Sequence, residues 1–199
     1  MRIPKSLFLR MTLLLTLGFV VSCSTTKLTS VWRDEGYQGH PRKIMVIGVV
    51  KYPEIRKLIE DEFVRQFRAR GVEAVAGYTI LPDMAVVDKN VIIEKMNELG
   101  TDTMLIARHV DQRTAMADVP GTSWYGYYGV HSAGVVATDK YALMQTKVYD
   151  LKTEQPIWSA SSETWLTANV PDKTLIQEFI AAVLDQMSRQ KIIASGPGK

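Results

Sequence analysis

The chain has 199 residues, 46% of them hydrophobic, and a formal net charge of +3. That is enough for one domain with a full core. The only cysteine is Cys23, which excludes an intrachain disulfide, a cysteine zinc site and thiol catalysis within the domain.

The first residues carry the three parts of an export signal. Arg2, Lys5 and Arg10 form a positive start, and Met11 to Val21 is apolar apart from Thr12, Thr16 and Gly18. Such a run is shorter than the roughly 20 apolar residues that span a bilayer. It ends at Val20-Val21-Ser22-Cys23. This motif resembles the lipobox of bacterial lipoproteins, in which a branched apolar residue, a small or apolar residue and Gly, Ala or Ser precede the cysteine. The resemblance implies that residues 1–22 are a lipoprotein signal peptide. It also implies that the thiol of Cys23 receives diacylglycerol and that the new amine is acylated. Two or more chains hold a protein firmly, at about 0.8 kcal/mol per buried methylene. The competing readings are a plain secretory signal and an uncleaved anchor. Ser24 stands where an Asp would favour inner-membrane retention, so the resemblance implies the outer membrane, facing the periplasm.

The three leader cations account for the whole charge surplus. A neutral mature chain gives no support for nucleic-acid binding, which calls for a clustered basic face. The expected partners are therefore the membrane, through the lipid, and another envelope protein.

Residues 23–42 are polar, with Gly36, Gly39 and Pro41, and read as a lipidated tether. Trp32 and Tyr37 within it are expected to pack on the domain's own surface, the alternative being a partner contact. Ile44 to Val50 is a continuous apolar run, as in a central strand. Pro53 suits the first turn of a helix over 53–70, with Ile55, Ile59, Phe63 and Phe67 on one stripe, Leu58 beside them and Gly71 as its end. On that helix Glu60, Asp61 and Glu62 read as a solvated face. A second strand is expected within Val72 to Leu81. Asp88 is a candidate cap for a helix over 89–99 that carries Ile92, Ile93, Met96 and Leu99 and ends at Gly100. A third strand begins at Thr103.

Residues 118–139 hold Pro120, four glycines and the cluster Trp124, Tyr125, Tyr127 and Tyr128. They read as a long loop or hairpin tip, with Tyr141 completing the aromatic set. Tyr and Trp favour interfaces and headgroup depth, so the four loop aromatics are candidate partner-binding residues; folding back over the sheet is the equal alternative, and simple disorder the third. Tyr141 to Tyr149 and Ile157 to Leu166 form an expected antiparallel hairpin, with Ser159, Ser161 and Ser162 towards solvent. Leu175, Ile176, Phe179, Ile180, Val183, Leu184 and Met187 mark a helix over 172–192. A disordered tail follows from Ser195.

The order β-α-β-α-β, hairpin, helix predicts a single α/β domain over 43–194, with one mixed sheet packed by helices. The segments Ser30 to Tyr37, Lys43 to Gly48 and Glu60 to Val64 resemble a group of uncharacterised envelope lipoproteins, as does the hairpin from Val148 to Trp158. The element order resembles the amino-terminal domain of TolB and the periplasmic domain of the curli secretion lipoprotein. These resemblances supply no catalytic motif.

No constellation for chemistry emerges. His40, His109 and His131 share no ligand spacing, so no metal site and no cofactor are expected. There is no phosphate-binding loop and no nucleophile elbow. The expected function is a non-enzymatic module that binds through the aromatic loop or a sheet edge. The alternative is a small-ligand or glycan binder at the carboxyl ends of the parallel strands, near Lys51, Tyr52, His109 and Asp111, where open α/β sheets place ligands. An envelope hydrolase with dispersed catalytic residues is the third reading.

Overall fold

The computed structural model describes residues 25–81, 89–110, 141–165 and 172–194. The leader, Cys23, the 118–139 segment, Asp88, Asp111 and the tail from Ser195 lie outside these residues.

Six strands form one sheet: β1 (Thr26–Arg33), β2 (Lys43–Val49), β3 (Glu73–Ala76), β4 (Thr103–His109), β5 (Tyr141–Asp150) and β6 (Pro156–Trp165), in the order β1-β6-β5-β4-β2-β3. Strands β4, β2 and β3 run parallel, while β4–β5, β5–β6 and β6–β1 are antiparallel. Helices α1 (Pro53–Ala69), α2 (Lys89–Glu98) and α3 (Lys173–Arg189) pack on it. The expected mixed α/β sheet with a carboxyl-terminal helix is therefore present.

β2 is buried from Ile44 to Val49 because helices cover both of its faces. Helices α1 and α3 lie together on one face. Phe63 and Phe179 meet there edge to face at 5.9 Å, with Phe67 stacked beside Phe63 at 6.1 Å. Trp158 is fully buried among them and its indole N–H donates to Gln190 Oε1 at 2.6 Å. On the other face Ile92 and Met96 of α2 cover Met45, Ile47, Met104 and Ile106.

Pro53 opens α1, where a missing N–H costs nothing, and Asp172 caps α3 by accepting from the Leu175 N–H at 2.9 Å. Gly71 and Gly100 follow α1 and α2 at φ +77° and +65°. A side chain is strained in that left-handed region, which is why both helices stop at glycine.

The structure corrects several expectations. Much of the supposed tether is strand β1, so the domain begins near Thr25 and not at residue 43. β1 pairs with β6 along its length, with a bulge between Leu28 and Ser30. That bulge breaks the two-residue alternation that marks a strand, and Trp32 at 47% exposure does not pack inward. Tyr37 does pack against the α1/α3 core. β3 is only four residues long and passes into a 3-10 turn over Gly77–Thr79. Leu58 is exposed, while Glu60 and Glu62 are buried. Ser162 points into the α1/α3 side and is also buried, unlike half-buried Ser159 and Ser161.

Candidate functional site

One end of the sheet gathers Lys51, Tyr52 and His109, the described ones among the candidate site residues of the sequence. β2 and β4 finish there, with Val49 opposite Arg108 and His109 opposite Met144. Tyr141, the first residue of β5, stands opposite Trp165, the last of β6, and Thr26 at the start of β1 is opposite Thr164. The loop after β2 leaves Lys51 and Tyr52 in solvent, with the Lys51 ammonium 5.4 Å from the Tyr52 ring centre. His109 is partly buried at the neighbouring strand end and faces the α1/α3 side with Met144. Lys51, Tyr52 and His109 thus occupy adjacent strand ends.

Tyr141 and Trp165 meet edge to face at 4.7 Å, and both rings stay about two-fifths exposed. Antiparallel geometry explains the contact, because directly opposed residues share one face of the pleat. Next to them the chain leading from Cys23 is fixed in place. The Thr25 carbonyl accepts from the Trp165 N–H at 3.1 Å. Thr25 also donates its N–H and hydroxyl to Glu178 on α3. Only Ser24 separates Thr25 from Cys23.

Beneath this end lies a buried ion pair. Arg56 Nε donates to Glu60 Oε1 at 2.7 Å, and the two side chains are 6% and 0% exposed. The same carboxylate accepts from the Gly48 N–H at 2.9 Å and the Tyr78 N–H at 2.6 Å, and Arg56 Nη2 donates to the Leu81 carbonyl at 2.9 Å. A Cβ on Gly77 would come within 2.8 Å of the Val46 carbonyl, so glycine lets the turn after β3 close onto β2. The pair ties α1 to both strands. Burial pushes the Glu60 carboxyl above its usual range, against the opposing pull of Arg56 and the two backbone donors. Two residues on, burial also pushes Glu62 upward, but hydrogen bonds from Arg65 and Gln66 outweigh it and hold the carboxyl below its usual range. The sequence carried a usable sign: residues 56, 60, 63 and 67 form one helical stripe, and two of them are the core residues Phe63 and Phe67.

A polar patch on the α2 side also went unseen in the sequence. Arg108 stands opposite Gln145, which stands opposite Ser161, and Lys147 stands opposite Ser159, which stands opposite Trp32. Arg108, Gln145 and Lys147 are buried. Gln145 and Lys147 alternate with Met144, Thr146 and Val148, the period that marks a strand with two unlike faces. β1 is the outermost strand on this side of the sheet, and its Trp32 is exposed.

Among the described residues no three His, Cys, Asp or Glu side chains converge as a metal site would require, and no helix is long and apolar enough to cross a membrane. A cavity of about 30 Å³ lies between α1, α3 and the hairpin, lined by Ile59, Met144, Leu175, Ile176 and Phe179. It has room for about one water but only apolar walls. Trp124, Tyr125, Tyr127 and Tyr128 fall outside the described residues, as do Cys23 and Asp111.

No family model matches the chain, and no curated protein matches it. Among solved structures it is similar to the PelC dodecamer from Paraburkholderia phytofirmans and to a single-substitution variant of that dodecamer. Each is 13% identical with a TM-score of 0.45, over 78% of this chain and 94% of that one.

Proposed function

We propose that this protein is a lipid-anchored, non-enzymatic interaction module of the cell envelope, held at the outer membrane through Cys23 and facing the periplasm. Attachment is supported by the lipobox-like Val20-Val21-Ser22-Cys23 and the export signal before it. The observation that carries the interaction reading is β1: an eight-residue outermost strand with an exposed Trp32, starting three residues after Cys23. An outermost strand offers unpaired backbone groups to a partner chain, and tryptophan is among the side chains that most often dominate an interface. Lys27 and the bulge after Leu28 blunt the first half of the edge, which leaves the half around Trp32 for recognition.

The test is a photo-crosslinking amino acid placed at Trp32 in cells, with Leu58 on the exposed face of α1 as the control. A discrete adduct with one envelope protein from position 32 and none from position 58 is the expected result. Equal, diffuse labelling from both positions would overturn the role of the edge. Deleting 121–137 in the same experiment asks whether the aromatic segment adds to that contact.

A further inference from the structure

The short link between Cys23 and the sheet has consequences for how the domain lies on its membrane. We propose that the sheet end carrying Tyr141, Trp165, Lys51 and Tyr52 rests flat in the headgroup layer of the bilayer that holds the lipid on Cys23. This rests on the reading of Cys23 as lipidated.

Thr25 is two residue steps beyond Cys23, and an extended chain advances at most about 3.6 Å per residue, so Thr25 lies within about 7 Å of the acylated cysteine. The polar layer of a bilayer is itself roughly 5–8 Å thick on each side. Thr25 has no freedom to carry the domain away, because Glu178 holds its N–H and hydroxyl and Trp165 holds its carbonyl. Trp165 is therefore at headgroup depth as soon as the acyl chains insert.

What the end presents suits that layer. Trp165 and Tyr141 are 40% and 42% exposed, and Tyr52 is 51% exposed. Each carries an apolar ring with a polar atom, the chemistry that collects at membrane interfaces. Lys51 beside Tyr52 can lie along the ring and meet phosphate with its ammonium. β2 stands four strand positions from β1, so Tyr52 is roughly 19 Å from the anchor at about 4.8 Å per strand. One contact beside the lipid and a second far from it fix an orientation, which a single lipid on a flexible tether would not do.

The full lipoprotein, reconstituted into phosphatidylethanolamine and phosphatidylglycerol vesicles, supplies the test. Y52C, W165C and T153C are each labelled with an environment-sensitive fluorophore. Quenching by lipids spin-labelled in the headgroup is then measured. Thr153 lies in the exposed turn at the opposite end of the sheet. The expected result is strong quenching at positions 52 and 165, several-fold above position 153. Quenching at position 52 no greater than at 153 would overturn the proposal, and Y52C lies on an exposed loop, so that arm survives if W165C fails to fold. Wild-type protein is labelled in parallel. A reactive Cys23 in protein that washes off the vesicles would show that lipidation itself is wrong. A blocked Cys23 in retained protein, with position 52 unquenched, would sink only the flat seating.

Discussion

At one end of the sheet Tyr52, Tyr141 and Trp165 stand in solvent, while at the other end polar groups close nearly every turn. There Asp102 accepts from the backbone N–H groups of Arg42 and Lys43, from the Arg42 side chain at 3.0 Å and from the Thr103 hydroxyl. Asp150 accepts from the N–H and hydroxyl of Thr153 in the hairpin turn, and Glu154 of the same turn pairs with Lys89. The second end is finished against water, because its reversals leave backbone groups that side chains must satisfy. The first end leaves amphipathic rings unburied beside Thr25, two residues after the proposed lipid site, which fits the proposed seating on a bilayer. The difference lies in how the two ends treat their polar groups and rings, which burial of the core alone does not describe.

That contrast can be broken at several points. The largest effect is expected from the ion pair beneath the aromatic end. E60A removes the buried carboxylate that faces Arg56 and should cost about 3–5 kcal/mol in urea unfolding, whereas the double variant R56M/E60M should recover most of it. The pair also has a pH signature. Because burial raises the folded carboxyl above its unfolded value near 4.5, the folded state holds the proton more tightly. Stability from this group is fully present below the unfolded value and is lost as pH rises through the folded one. Wild type should therefore gain stability relative to E60Q, which does not titrate at this position, as pH falls. Wild type gaining on E60Q as pH rises would mean that the three donors outweigh burial.

At the polar end, D102A removes one acceptor from four donors and should cost about 1–2 kcal/mol by thermal or urea unfolding, without changing membrane attachment. D172A, which uncaps α3, should cost about 1 kcal/mol. W165A removes a partly exposed ring whose pair with Tyr141 contributes about 0.5–1.5 kcal/mol beyond its buried area, and its total cost should stay well below that of E60A. If W165A destabilised as much as E60A, Trp165 would belong to the core and the contrast between the ends would fail.

The elements with strong periodicity could be read from the sequence. The apolar run of β2, the stripes of α1 and α3, the glycines after α1 and α2 and the β5–β6 hairpin needed only local rules. β1 did not announce itself: its polar residues face solvent on one side, and the bulge after Leu28 shifts its alternation, so it passed for a tether. Glu60 reads as solvated because it stands in a run of three carboxylates on a helix. Its burial depends on Gly48 and Tyr78, which only the fold brings near. The parallel pairing of β2 and β4 follows the β-α-β order, but the arrival of Thr25 at the same end of the sheet follows from β1 joining the far edge, a long-range fact that no local pattern contains.

The account stands or falls on Cys23. Mass spectrometry of the amino-terminal peptide, taken from protein purified out of the outer-membrane fraction, addresses it directly. The account predicts a peptide that begins at Cys23 and carries the mass of a diacylglyceryl group together with an amide-linked acyl chain. A soluble protein with an unmodified Cys23 thiol would contradict it.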